Sequence, residues 1–342
     1  MTVKITRPSI DIRGTLDELN KPSGIAGNAM LAAETPQEQF NLIGAGRRNL
    51  IINGGFDVWQ RGTSFTPTGA DYMADRWFMG GGDYACTATK QASTLPDGSE
   101  VNTMRISYTA SGTNYIDLYQ GIENFKALSG KTVTLSCWIK TNISSLSYRQ
   151  YSTQQFGSVA VADGQWHKLV STVQLGAITG VNRGANSPFF GPTSGGTIVT
   201  KSGDYFEITQ FQLELGSVAT PFEHRSYGEE LALCQRYYQR LGGRAYTPLG
   251  TGMIFGNIVR GATVEYAQTM RAVPSIISIN NIMASDRTVY DNPIISYSDS
   301  TAGIDKCSFN FNLTNTVSTS GYPTQICVKY SSVGYIEFDA EL

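Results

Sequence analysis

Few side chains in this sequence have the types and spacing that acid–base or metal chemistry needs. Two histidines occur in 342 residues, His167 in QWHKLV and His224 in PFEHRS. Neither has a ligand-like partner four residues further on or a cysteine nearby, which argues against a zinc site or a Ser-His-Asp triad. The sequence has no G-x-S-x-G, H-E-x-x-H or P-loop motif. The common hydrolase, metalloprotease and nucleotide-binding mechanisms are therefore disfavoured.

Carboxylates offer a second kind of chemistry, because cleavage of a glycosidic bond needs only two of them a few ångströms apart. The candidates in the first predicted β core are Asp57, Asp71, Asp75, Asp117, Glu123 and Glu207. Their spacing does not show that any two converge, and most suit turn, cap or surface positions. A glycan-cleaving enzyme stays open as an alternative.

Aromatic side chains suit carbohydrate binding, since exposed rings provide apolar platforms and neighbouring amides provide hydrogen bonds. The candidate ligand-binding residues are Tyr148, Tyr151, Gln154, Tyr290, Tyr297 and Tyr322. Three tryptophans, Trp77, Trp138 and Trp166, stand inside apolar patterns and are predicted to lie in the core.

Composition excludes several classes of protein. The net charge is −2, only 16% of the residues are charged, and there is no run of Lys or Arg, so the chain lacks the basic face of a nucleic-acid-binding protein. No apolar stretch has the length of a membrane span, and the N-terminus lacks the apolar segment of a signal peptide, which predicts synthesis in a cytoplasm. The five cysteines are odd in number and widely spaced, and we expect buried free thiols.

The elements that position these residues are predicted to be strands. In KTVTLSCWIK, the residues Val133, Leu135, Cys137 and Ile139 alternate with polar ones, as in a half-buried strand. Similar segments recur between Gly-rich turns, which is typical of a sandwich or jelly roll. In DYFEITQFQLELG the apolar residues change parity, which predicts a bulge near Thr209–Gln210. The predicted fold class is all-β, with two β-sandwich or jelly-roll domains joined by one short helix and preceded by a non-globular leader.

The predicted domains are residues 1–46, 47–226, 227–242 and 243–342. The first is too short and too broken by Pro and Gly to hold a core, so we expect it to pack on other copies of itself or on a docking partner. A disordered tail is the alternative. The third is a helix in SYGEELALCQRYYQRL, with a Ser226/Glu229 capping box, and Gly242–Gly243 as its stop.

The last domain should be a second β unit. KCSFNFNL alternates without error, and the final segment places Ile336, Phe338 and Ala340 on one face. The acidic residues Glu337, Asp339 and Glu341 occupy the other face, where we expect them to discourage pairing at a sheet edge.

The stretch NGGFDVWQRG opens the second domain. It follows a short apolar segment and its glycine spacing does not match a phosphate-binding loop, so Gly54–Gly55 is interpreted as a turn or bulge. Asp57 and Arg61 are expected to fix this corner, with Asp75 and Arg76 of ADRW close in space.

Four stretches together resemble tail-fibre proteins of tailed bacteriophages: NLIINGGFDVWQRGTSF, YMADRW, FQLELGSVATPFEHRSYGEELALCQRYYQR and IEFDAEL. The resemblance implies a non-enzymatic virion protein, made in the host cytoplasm, that forms a homotrimer. It implies attachment to the tail or baseplate through residues 1–46 and recognition of a host surface glycan by the β domains. A tailspike-like glycan depolymerase and a purely structural tail component are the alternatives.

The first β domain also resembles carbohydrate-binding jelly rolls that open with N-G-x-F-[ED]. In those modules a calcium ion often ties the opening acidic residue to an acidic pair in the last strand. Asp57 matches the opening position and is the implied metal ligand, but Thr209 and Gln210 stand where the pair would be. Since calcium prefers several charged oxygen ligands, this difference puts the calcium site in doubt. No other cofactor is implied.

Overall fold

The computed structural model of the protein describes residues 48–81, 85–111, 116–123, 125–143, 146–150, 154–158, 162–178, 189–193, 201–285, 292–315, 322–329 and 333–341. The predicted leader, 1–46, lies outside these ranges. Strands dominate the described residues, which confirms the all-β prediction. No helix among them is long and apolar enough to cross a membrane.

The first unit is a sandwich of two antiparallel sheets, each with six strands in the described ranges. The strands are β1 (Ser64–Phe65), β2 (Asp71–Tyr72), β3 (Phe78–Gly81), β4 (Cys86–Thr94), β5 (Glu100–Tyr108), β6 (Ile116–Gly121), β7 (Thr132–Thr141), β8 (Ser147–Gln150), β9 (Gln154–Ser158), β10 (Trp166–Gln174), β11 (Phe189–Thr193) and β12 (Tyr205–Leu215). Sheet 1 has the order β1-β4-β5-β12-β7-β10, and sheet 2 has the order β2-β3-β6-β11-β8-β9. A 3-10 helix covers Phe125–Leu128.

The core of the sandwich lies between the two sheets and follows the alternation of the sequence. The predicted inward residues of β7 all belong to it: Val133, Leu135, Cys137 and Ile139. Trp77 is fully buried, with ring centres 5.0 Å from Phe56 and 5.1 Å from Phe211. The predicted core position of Trp77 is therefore confirmed.

Trp138 and Trp166 do not lie in this core, contrary to the prediction. Between β7 and β10, Trp166 lies opposite Lys140 and Trp138 lies opposite Lys168. Leu169, which follows Lys168 in β10, points the other way and packs against the core. Both tryptophans thus lie half-buried on the outer face of sheet 1. Strand alternation explains the error, because Trp138 stands between two inward residues and must point outward.

The predicted bulge in β12 is confirmed. The pairing of β12 with β7 shifts between Thr209 and Gln212, and Gln210 adopts a left-handed conformation with φ 50°. The bulge lets Phe206 and Ile208 before it, and Phe211 after it, all enter the same core.

The helix α1 spans Tyr227–Gln235 and is shorter than predicted. Its capping box forms as expected, with Ser226 Oγ accepting from the Glu229 backbone and the Glu229 carboxylate accepting in return. From Tyr238 the chain becomes a strand, β13 (Tyr238–Gly243), which pairs with the C-terminal strand. Tertiary pairing overrides the helical preference of YYQRL.

The remaining strands belong to the second unit. They are β14 (Pro248–Phe255), β15 (Ile258–Glu265), β16 (Ser275–Asn280), β17 (Ile282–Ser285), β18 (Asn292–Ala302), β19 (Lys306–Leu313), β20 (Tyr322–Val328) and β21 (Gly334–Asp339). In the described residues they form a closed six-stranded barrel, in the order β14-β15-β19-β18-β17-β20, and, with β13, a three-stranded sheet in the order β13-β21-β16. The predicted inward residues Phe309, Phe311, Ile336 and Phe338 share one core.

Strand β21 lies in the middle of its sheet, between β13 and β16. The expectation that its acidic residues protect a sheet edge is therefore wrong. Glu337, Asp339 and Glu341 are instead partners of arginines from other elements. All five cysteines are buried free thiols, as predicted.

Candidate functional site

The four stretches that resemble tail fibres meet at one junction between the sandwich and the second unit. Arg61, from the first stretch, lies 3.9 Å from Asp75 in the second and 3.1 Å from Asp339 in the fourth. Its guanidinium also lies 3.6 Å from the ring centre of Tyr238, in the third stretch. The predicted closeness of Arg61 and Asp75 is thus confirmed, and Arg61 joins all four stretches.

A second arginine, Arg76, is fully enclosed at this junction. It forms an ion pair with Glu341, lies 3.5 Å from the ring centre of Tyr237, and donates to the Gly121 carbonyl at 2.7 Å. Burial alone would lower the pKa of Arg76, but the charge of Glu341 raises it. Arg76 therefore stays charged and depends on Glu341 for compensation.

Two outer ion pairs surround these arginines. Glu123 pairs with Arg236 at 3.1 Å and also accepts from Tyr237 at 2.8 Å. Glu337 pairs with Arg240 at 3.4 Å and also accepts from Tyr238 at 2.6 Å. Burial tends to raise the pKa of Glu123, but these partners lower it. In contrast, burial raises the pKa of Asp75 despite the charge of Arg61. The junction is an ionic network that joins the two units, and the side chains of Arg61, Arg76 and Glu341 at its centre are 9% exposed or less.

A cleft of about 240 Å³ lies at the rim of the sandwich, beside the turn at Gly54–Gly55. It is lined by Gly55, Asp57, Ala92, Glu100, Val101, Asn102, Thr209, Gln210, Phe222 and His224. The Phe222 and His224 rings meet edge to face, 5.0 Å apart. Amide, carboxylate and imidazole groups around an aromatic ring suit a ligand rich in hydroxyl groups.

The β-turn and the bulge create this cleft. A Cβ on Gly54 would overlap the Phe211 carbonyl oxygen, so the chain approaches β12 as closely as glycine permits. The Phe211 backbone in turn donates to the Gly54 carbonyl at 2.9 Å. Asp57 and the bulge residues Thr209 and Gln210 line the same cleft.

The residues around Asp57 do not fit a calcium ion. Asn102 Nδ2 donates to Asp57 Oδ1 at 2.6 Å, and Lys90 Nζ donates to the Asp57 carbonyl at 3.0 Å. The Thr209 hydroxyl donates to the Asn102 carbonyl at 2.6 Å. In the described part of the chain, no group of three or more His, Cys, Asp or Glu residues is placed to hold a metal ion. Asp57 therefore contacts Asn102 and Lys90, rather than Arg61 as predicted.

The outer face of sheet 1 is a second candidate surface. One row across the strands reads Thr89, Arg105, Glu207, Lys140 and Trp166. Trp166 Nε1 donates to Ser93 Oγ at 3.2 Å. In a flat sheet β4 and β10 would lie roughly 19 Å apart, at about 4.8 Å per strand. The β4–β5 hairpin must therefore curl over this face, which makes it concave.

Among the described residues, those that line the cleft include none of the predicted ligand-binding residues. Tyr148 and Gln154 belong to β8 and β9 in sheet 2, and Tyr297 and Tyr322 to β18 and β20 of the barrel. Tyr297 is 40% exposed and its ring meets Phe309 edge to face. Tyr151 and Tyr290 lie outside the described residues. Sequence reasoning missed Asn102, Phe222 and His224, whose roles depend on contacts that no local pattern encodes.

Comparison with known proteins gives distant structural likeness only. No protein-family model matches the chain, and no curated protein matches it. A domain of bacteriophage CBA120 tailspike protein 4, described as enzymatically active, is 16% identical with a TM-score of 0.32, over 49% of this chain and 21% of that structure. The match thus spans about a fifth of the tailspike structure.

Two further structures match the same share of the chain. One, from Bacteroides thetaiotaomicron, is assigned as a sugar-binding protein. It is 14% identical with a TM-score of 0.33, and the match covers 49% of this chain and 100% of that one. The other, TmCBM61 in complex with β-1,4-galactotriose, is 14% identical with a TM-score of 0.29, over 49% and 99%. Identities and TM-scores at this level support no conclusion about function.

Proposed function

We propose that the protein is a tail-fibre component of a tailed bacteriophage that binds host surface glycan through the rim cleft without cleaving it. The observation that carries the proposal is the cleft itself. It combines the Phe222 ring with side chains that donate and accept hydrogen bonds, among them Asn102, Gln210 and His224. Saccharides present both apolar ring faces and many hydroxyl groups, so this lining matches their chemistry.

The ionic junction supports the fibre part of the proposal. The stretches that resemble tail fibres connect two β units through several buried ion pairs, and a receptor-binding rod needs such a connection. Homotrimer formation and attachment through residues 1–46 belong to the same proposal. A trimer would bind multivalently, so weak contacts to single glycans would combine into firm adsorption.

Binding without cleavage is supported by the positions and contacts of the carboxylates. The two that line the cleft, Asp57 and Glu100, accept hydrogen bonds from Asn102 at 2.6 Å and from Thr94 at 3.1 Å. Burial raises the pKa of Asp75 and of Glu230, as a general acid would need. However, Asp75 lies beside Arg61 in the junction and Glu230 pairs with Arg225 at 3.3 Å. Neither lines the cleft.

Host polysaccharide binding by purified variants tests the site. We expect His224→Ala to weaken binding at least tenfold, and His167→Ala to leave it unchanged. His167 is a matched control, since it is also partly exposed and its ring lies on sheet 1, 2.9 Å from the Asp163 carboxylate. Loss of binding in Trp138→Ala but not in His224→Ala would move the site to the concave face of sheet 1. If all three variants bind the polysaccharide as tightly as the unmodified protein, there is no glycan site on either surface.

Three further measurements separate the alternatives. Shortening of the polysaccharide chains during incubation would show a depolymerase. Failure of the purified protein to compete with phage adsorption would favour a purely structural tail component. A mass near 37.2 kDa in light scattering, that of one chain, would refute the homotrimer.

A further inference from the structure

The corner that carries Asp57 contains the positively charged side chain of Lys90. We propose that Lys90, together with Asn102, holds the place that calcium occupies in the carbohydrate-binding jelly rolls the sequence resembles. The stability of the sandwich and the shape of the cleft are then independent of divalent metal. This inference does not rest on the proposed function, because it concerns how the corner is held.

Lys90 occupies an unusual position for a charged side chain. In β4 the residues Cys86 and Ala88 belong to the core, and Lys90 follows them on the same face of the strand. Its ammonium therefore enters the rim of the sandwich, where it donates to the Asp57 carbonyl at 3.0 Å. Its backbone is also fixed, because Lys90 N donates to the Thr63 carbonyl at 2.9 Å.

The surrounding groups are arranged for hydrogen-bond donors rather than for a metal. Asp57 Oδ1 accepts from Asn102 at 2.6 Å, and the Asn102 carbonyl accepts from Thr209 at 2.6 Å. A calcium ion would compete with these N–H and O–H donors for the same oxygens. It would also stand next to the Lys90 ammonium, and like charges at such a distance repel.

These contacts tie the opening segment to the β4–β5 hairpin. Asp57 belongs to the segment after the Gly54–Gly55 turn, Lys90 to β4 and Asn102 to β5. Because Asp57 and Asn102 both line the cleft, the same contacts also set the distance between two of its walls. The role that a metal plays in fixing a corner is thus performed by one ammonium and one amide.

Thermal unfolding of the full chain without glycan provides the test. We expect the same midpoint in millimolar calcium and in EDTA. We expect Lys90→Met to lower the midpoint by roughly 2–4 °C or more, the usual shift for about 1 kcal/mol in a domain of this size. Lys131→Met, at an exposed position before β7, serves as the matched control and should leave the midpoint unchanged.

Two results would overturn the inference. One is a midpoint that rises with calcium or falls with EDTA in the unmodified protein. The other is a Lys90→Met midpoint equal to that of Lys131→Met. If Lys90→Met does not fold, the calcium and EDTA comparison on the unmodified protein still decides. Glycan binding enters neither measurement, so a failure here is distinct from a failure of the proposed function.

Discussion

Replacing Glu341 with Gln should strongly destabilise the junction. The substitution keeps the size of the side chain and removes only its charge. The Arg76 side chain is 1% exposed and that of Glu341 3%, so the pair is almost fully desolvated. Removing one partner of a buried ion pair typically costs about 3–5 kcal/mol, because the other charge remains buried without compensation.

The lower part of that range fits this site. The amide oxygen introduced by Glu341→Gln would still accept a hydrogen bond, and Arg61 would keep Asp339 at 3.1 Å. However, Glu341 is the carboxylate that raises the pKa of Arg76, so that guanidinium loses its compensating charge. We therefore expect a loss of about 3 kcal/mol in the free energy of unfolding.

Denaturant unfolding followed by tryptophan fluorescence measures this loss, since Trp77 follows Arg76 directly in the sequence. Glu265→Gln, at an exposed position of β15, is the control and should change stability by less than about 0.5 kcal/mol. The double variant Arg76→Met/Glu341→Leu should recover much of the loss, because apolar replacement of a buried pair is often neutral. A loss of stability below about 1 kcal/mol in Glu341→Gln would refute the reasoning. So would a double variant whose loss of stability equals the summed losses of the single variants Arg76→Met and Glu341→Leu.

Three further outcomes are expected. Gly54→Ala should lower the free energy of unfolding by more than about 2 kcal/mol because its Cβ would overlap the Phe211 carbonyl, whereas Gly69→Ala, with open space around it, should be neutral in denaturant unfolding. Ser226→Ala should cost about 1 kcal/mol in the same assay, since the helix loses its N-cap, and an unchanged midpoint would contradict the capping box. The pKa of Glu123 is lowered in the folded protein. Its contribution to the free energy of unfolding is therefore present at pH values above its ordinary pKa of about 4.3, and is lost as the pH falls through its pKa in the folded state. Glu123→Gln should therefore flatten the acid side of a plot of midpoint against pH, and a parallel curve would exclude this role.

Strand parity could be predicted from the sequence because one face of each strand is buried. The alternation in KTVTLSCWIK and KCSFNFNL places the core residues correctly, and the change of parity in EITQFQLELG locates the bulge. The same rule applied strictly would have placed Trp138 outward. Tryptophan is apolar enough to suggest a core position, but in a strand the parity of the position decides which face a side chain occupies.

The end of the helix could not be predicted from local preference. Residues 236–241 satisfy a helical pattern, but β21 needs a neighbouring strand and supplies Glu337 to Tyr238 at 2.6 Å and to Arg240 at 3.4 Å. These partners lie about a hundred residues away along the chain. Long-range pairing of this kind decides secondary structure where local preferences are weak.

The candidate site was only half predictable for a related reason. Asp57 and the bulge could be identified because each has a local signature. The other wall of the cleft, Ala92 and Glu100–Asn102, comes from the β4–β5 hairpin, whose approach depends on Lys90 reaching Asp57. An inward lysine in an alternating strand was the one available signal.

The cleft is lined both by residues of the stretches that resemble tail fibres and by residues of the β4–β5 hairpin. Asp57, Phe222 and His224 belong to the stretches that resemble tail fibres, and those stretches also build the ionic junction. Ala92, Glu100 and Val101 belong to a hairpin outside them. The residues of the junction are constrained by buried charges that must stay paired, whereas the wall residues Ala92, Glu100 and Val101 take part in no ion pair among the described residues. If the cleft binds glycan, changes of specificity are therefore easier to accommodate in the hairpin wall than in the wall that the junction supports.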